Sequence, residues 1–212
     1  MAKGHVVLLG DSIFDNAAYV GGAPDVVRQL RERLPEDWRA SLCAVDGAVI
    51  RSVERQLRET PEEASHLVLS VGGNDALGYA GILREGARSV AEVLDRLSDI
   101  AERFEAEYHQ MLDAVLRRAL PTGVCTVYYP NFPDADAQRL SVAALSLFND
   151  AIIRAAFTRG LPLIDLRLVC NDAADYANPI EPSAHGGAKI ASAIARLVTE
   201  HNFARRRTEV FI

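Results

Sequence analysis

A chain of 212 residues has enough interior for one sizeable hydrophobic core, and its ordinary globular composition reads as a single domain over residues 1–212. A formal net charge of −6 gives no basic footprint for nucleic acid or an anionic membrane surface, so neither is expected as a partner. No stretch reads as long and apolar enough to span a bilayer, and the start Met1-Ala2-Lys3-Gly4-His5 leaves no room for a leader before the first apolar run, so the expected location is cytoplasmic.

In chain order, short apolar runs at His5–Gly10, Ala40–Val45, His66–Val71, Gly123–Tyr129 and Leu161–Leu166 predict five strands. Between them lie helical patterns over residues 25–34, 51–58, 89–120, 136–158 and 184–200, the third read as one long helix or two broken near Asp99. Strands alternating with amphipathic helices predict an α/β class with a five-stranded parallel sheet covered on both faces. Pro182-Ser183 reads as the start of the last helix, with Ser183 as its capping hydroxyl. The run Arg205-Arg206-Arg207 reads as a solvated helix end, with the apolar tail Val210-Phe211-Ile212 as a possible oligomer contact. Cys43, Cys125 and Cys170 are an odd number, far apart, and read as reduced core residues. Without a CxxC or HExxH motif no metal is expected, and no cofactor is expected either.

Chemistry concentrates where the first three strands end. Val6-Val7-Leu8-Leu9 runs into Gly10-Asp11-Ser12, the second strand into Asp46-Gly47, and the third into Gly72-Gly73-Asn74-Asp75. In a parallel sheet these turns share the rim where ligands bind. A serine hydroxyl there is placed for nucleophilic attack, and the Ser12 N–H, the Gly47 N–H and the Asn74 side-chain amide are donors suited to the oxyanion that such attack creates.

Gly10-Asp11-Ser12, Gly47 and the G-x-N-D run Gly72-Gly73-Asn74-Asp75 together resemble the SGNH (GDSL-like) hydrolases. The resemblance covers nearly the whole chain. It implies a flavodoxin-like three-layer α/β/α sandwich, Ser12 as nucleophile, and Ser12, Gly47 and Asn74 as the oxyanion hole. It also implies a small-molecule acyl ester or thioester as substrate.

The fourth block departs from that family, whose D-x-x-H lets Asp orient His and His deprotonate Ser. Aligned on the Pro182-Ser183 helix start, this chain has Asn178 at the Asp position and Glu181 at the His position. Three readings follow. Glu181 is itself the base, its pKa raised by burial; or His185 reaches Ser12 with Glu181 orienting its imidazole; or Ser12 is not activated and the cleft belongs to a silent or very slow ligand-binding module. The other histidines, His5, His66, His109 and His201, read as structural.

Three more segments fall near the rim. Asp15 and Asn16 are either pocket-mouth residues or ordinary caps. Residues 128–134, with Tyr128, Tyr129 and Phe132, form either an acyl- or ring-binding wall or a turn packed on the core. The stretch Leu77-Gly78-Tyr79-Ala80-Gly81 is a flexible loop or irregular helix beside the oxyanion hole, and reads as a lid or a plain connection. A nucleotide or flavin site is disfavoured: the first turn has no glycine run to cradle a phosphate, and Asp11 and Asp15 would repel one. Acyl-chain length and oligomeric state depend on loop shape and surface, which the residue pattern does not fix.

Overall fold

A computed structural model describes residues 4–212; the expectation placed on Met1–Lys3 lies outside them. Six parallel strands form one sheet in the order β2-β1-β3-β4-β5-β8. They are β1 (Gly4–Gly10), β2 (Trp38–Leu42), β3 (His66–Ser70), β4 (Thr122–Cys125), β5 (Leu163–Ile164) and β8 (Val210–Phe211). A separate antiparallel pair, β6 (Tyr176–Asn178) with β7 (Glu181–Pro182), carries the fourth block. The helices are α1 (Val26–Arg33), α2 (Val53–Glu59), α3 (Gly73–Gly78), α4 (Val90–Leu116), α5 (Ala135–Arg159), α6 (Leu166–Val169) and α7 (Ala184–Glu200).

β1 is apolar throughout because both its faces are covered. Val6 and Leu8 pack with α1 and α7, while Val7 and Leu9 pack with α2, α4 and α5. The chain crosses from β1 to an outer strand on one side and to β3 on the other, so the sheet switches direction beside β1 and opens a crevice at the strands' carboxyl ends.

The helix starts follow their capping residues. Asp25, Ser89 and Asp134 accept from backbone N–H groups in the first turns of α1, α4 and α5. Ser183 accepts from the N–H groups of both His185 and Gly186 at 3.1 Å, as expected of it. A Cβ at Gly186 would lie 2.2 Å from the Asp175 carbonyl oxygen, so only glycine lets α7 start this close to residue 175.

Three expectations are corrected and one left open is settled. The sheet has a sixth strand, β8, which pairs with β5 and buries Phe211. Arg205–Arg207 lie in the connection after α7, not on a helix end. The region read as one helix or two is a single helix, α4. By length and composition α5 is apolar enough to cross a membrane, contrary to the sequence reading. In the fold its second half packs Phe148, Ala151, Ile152, Ala155 and Ala156 into the core.

The first buried residue of α4 is Ile100 and that of α5 is Phe148. Each helix therefore runs on the order of 15–20 Å, at 1.5 Å per residue, before reaching the core. These leading halves stand above the strand ends and wall the functional cavity.

Candidate active site

β1 ends at Gly10, whose φ of +129° turns the chain sharply. A Cβ at this position would meet the Ser70 carbonyl oxygen at 1.7 Å, so the turn requires glycine. Gln56 of α2 pins the turn: its Oε1 accepts from the Gly10 N–H at 2.7 Å, and its Nε2 donates to the Gly10 carbonyl at 2.8 Å. Asp11 and Ser12 follow, both buried. The Asp11 carboxyl accepts from the Ile13 N–H at 3.2 Å. Complete burial, with Glu181 and Asp75 adding negative charge nearby, pushes its pKa up to about 8.

Glu181 comes to Ser12 from β7. Asn178 holds the tight turn before it, its Oδ1 accepting from the N–H groups of Ile180 and Glu181 at 3.0 Å each. The Tyr128 hydroxyl donates to the Ile180 carbonyl at 2.6 Å, and the Asn16 amide donates to the Pro182 carbonyl at 3.3 Å. The Glu181 side chain, 8% exposed, lines the same cavity as Ser12, and its Oε2 is buried with no partner. Burial raises the Glu181 pKa above the ordinary glutamate value, the neighbouring Ser12 hydroxyl offsets part of the rise, and Asp46 adds to it.

The donors expected of an oxyanion hole lie on a braced loop. Asn74 Nδ2 donates to the Ala48 carbonyl at 2.9 Å, and the Asp75 carboxylate accepts from the Ile50 N–H at 3.1 Å. Asp15 accepts from the Asp46 N–H at 2.9 Å. Between these ties Gly47 has a φ of +75° and open space where a side chain would project. Among the described residues, neither the Ser12 N–H nor the Gly47 N–H donates to a protein acceptor. Ser12, Asn74 and Glu181 line one cavity; Gly47 is exposed and is not among the residues lining it.

His185 does not reach this cavity, which corrects the reading that paired it with Ser12. It occupies the first turn of α7, its side chain 62% exposed and its Nε2 3.7 Å from Oδ1 of the buried Asp175. There it lines a separate surface groove with Arg33, Lys189 and Arg196. The remaining histidines also lie away from Ser12. His5 bonds Ser41, His66 bonds Ser65, His201 bonds Glu209, and His109 lies within α4.

Asp15 and Asn16 are braces, not pocket lining. Asn16 is wholly buried, and its Oδ1 accepts from the Val26 N–H at 2.9 Å while its amide holds β7. In the segment after β4, Tyr128 is buried against the core, and Tyr128, Pro130 and Phe132 line the cavity. The stretch read as a lid or connection is the end of α3 followed by a 3-10 turn over Ala80–Arg84, and Leu77, Tyr79, Ala80, Ile82 and Leu83 line the cavity from it. Two parts went unread from the sequence, Gln56 and the walls from α4 and α5. For Gln56 the one signal was a polar residue on the apolar face set by Val53 and Leu57.

Comparison with solved structures agrees with this architecture. The extracellular lipase of Streptomyces rimosus is 17% identical with a TM-score of 0.64, covering 94% of this chain and 100% of that one. An acetyl xylan esterase is 18% identical at a TM-score of 0.67, covering 88% and 96%. A carbohydrate acetylesterase from Sinorhizobium meliloti is 12% identical at 0.64, covering 92% and 98%. At these identities the likeness is one of fold. No curated protein sequence matches the chain. The GDSL-like lipase/acylhydrolase family, however, matches residues 8–189, spanning every site residue from Ser12 to Glu181, and the chain belongs to that family of carboxylic ester hydrolases.

Proposed function

We propose that this chain hydrolyses a carboxylic ester through an acyl-enzyme on Ser12, with Glu181 as the general base. The observation that carries the reading is the pairing of the buried Ser12 with the buried Glu181 at the end of an apolar cavity. As the Ser12 hydroxyl attacks the ester carbonyl carbon, its proton passes to Glu181. The carbonyl electrons move onto oxygen, and that oxyanion takes hydrogen bonds from the Ser12 N–H, the Gly47 N–H and the Asn74 amide proton not given to Ala48. Collapse breaks the bond to the alcohol, which leaves with the proton held by Glu181. Water then attacks the acyl-enzyme, Glu181 takes its proton, and the acid and free Ser12 are regenerated.

A carboxylate of ordinary pKa is a weak base for a serine hydroxyl, and burial makes Glu181 a stronger one. Its surroundings suit a carboxylate base. The neutral Asn178 at the preceding position holds the backbone without placing another charge beside Glu181, whereas a histidine base would call for a carboxylate there. The test is the intact mass of the protein after incubation with a small fluorophosphonate, beside Ser12→Ala. The parent gains one adduct and the variant none; a folded parent with no adduct removes the serine-hydrolase reading and leaves a ligand-binding module.

A further inference from the structure

The cavity at Ser12 is much larger than an acetyl group requires, and its polar groups are unevenly placed. Its volume is about 170 Å³. A cavity of about 150 Å³ walled by aliphatic and aromatic side chains stays dry and takes a six-carbon ring. Asp11, Ser12 and Ser70 come from the strand ends, Asn74 from the start of α3 and Glu181 from β7, whereas α4 and α5 supply Leu97, Ile100, Ala144, Leu145, Leu147 and Phe148. Phe148 is buried and braced edge-on by Phe104, with ring centroids 4.8 Å apart, so this wall is fixed.

No Lys, Arg or His is among the described residues lining the cavity, so a phosphate or other anionic group has no cationic partner in it. A sugar ring would need several hydrogen-bonding side chains along the walls, and beyond the strand ends the walls offer Ser141 and the tyrosine hydroxyls, one of which, Tyr128, already donates to Ile180. Leu77 and Leu83 also line the cavity although 46% and 42% exposed, leaving apolar surface that a bound hydrocarbon would cover.

We propose that this cavity holds the acyl chain of the substrate and selects straight-chain acyl groups of about six carbons over acetyl. The proposal rests on Ser12 being the acylated residue, since that places the ester carbonyl at the polar end and leaves the hydrocarbon to run between α4 and α5. Ala144 sets the room available. It lies one turn before Phe148 on the same face of α5, and a larger side chain there fills the volume the chain would occupy.

The test is kcat/KM for p-nitrophenyl acetate, butyrate, hexanoate and decanoate with the parent and Ala144→Phe, together with methyl hexanoate against hexyl acetate and fluorophosphonate labelling of both proteins. The expected rise is about fourfold per methylene from acetate to hexanoate, levelling or falling by decanoate. Ala144→Phe should lower hexanoate turnover roughly tenfold or more, and lower the ratio of hexanoate to acetate turnover with it. Labelled Ser12 with kcat/KM falling steadily as the acyl chain lengthens overturns the proposal and leaves the acyl-enzyme reading intact. A preference for hexyl acetate over methyl hexanoate assigns the cavity to the alcohol and also overturns it. A folded parent with neither labelling nor turnover overturns both readings together.

Discussion

Glu181, carried on β7, shares a largely buried cavity wall with Ser12, and the Ser12 hydroxyl favours its charged form. The proposed use of Glu181 as the base has energetic consequences. A buried carboxylate resists charging, so its pKa rises, and the rise is what gives it proton affinity. The cost falls on stability and the benefit on reactivity.

The first consequence is a pH profile. Glu181 must be ionised to act as base, so kcat/KM should rise as pH increases through a pKa above the ordinary glutamate range, because burial raises it. Asp46 contributes to that rise. Asp46→Asn should therefore move the acidic limb down by roughly a few tenths of a pH unit. His185→Ala should leave the limb unchanged, because that side chain lies in another groove. A limb that moves with His185 and not with Asp46 would contradict the assignment.

Asp11 predicts a stability effect of opposite practical sign. With its pKa raised from 3.8 to about 8, the folded protein keeps this proton across a range in which the unfolded chain has released it. The contribution of Asp11 is therefore a loss of stability as pH rises through that window. Asp11→Asn keeps an acceptor for the Ile13 N–H and removes the titration. Denaturant melts should give a variant whose stability relative to the parent grows between pH 5 and pH 8, by an amount on the order of a few kcal/mol.

Gln56 holds both polar backbone groups of Gly10 from a fully buried position. Gln56→Ala leaves that N–H and carbonyl without partners in a dry interior and opens a void. The expected cost is about 2–5 kcal/mol, read from chemical denaturation, with a parallel fall in kcat because the Ser12 turn loosens.

Asn16 ties the start of α1 to Pro182, next to Glu181. Asn16→Ala should cost about 1–3 kcal/mol in stability. It should also lower kcat more than it raises KM, because β7 loses a tether while the cavity walls from α4 and α5 stay in place. Unchanged kcat in a destabilised variant would mean that Asn16 serves the fold alone.

The strand ends were legible because each combines an apolar run with a turn of special composition: Gly10 at a φ only glycine adopts readily, Gly47 on an open turn, and Gly72-Gly73 opening α3. The proposed base was only partly legible. Position along the sequence brought both Glu181 and His185 near the start of α7, but the direction of a side chain depends on the β6–β7 turn, whose geometry Asn178 fixes through two backbone bonds. β8 was missed because two residues beyond a basic connection carry no periodicity, and only pairing with β5 makes them a strand. The cavity walls were invisible for a related reason. Val93, Leu94 and Leu97 keep the helical spacing of a core face, yet Val93 and Leu94 are exposed because α4 extends beyond the sheet that such a face would cover.

The central claim, activation of Ser12 by Glu181, is tested most directly by the rate of fluorophosphonate labelling across pH in the parent, Glu181→Gln and His185→Ala. The account predicts parent-like labelling for His185→Ala and a loss of about 100-fold or more for Glu181→Gln, with the parent's acidic limb abolished. Labelling of a folded Glu181→Gln at the parent's rate would contradict it.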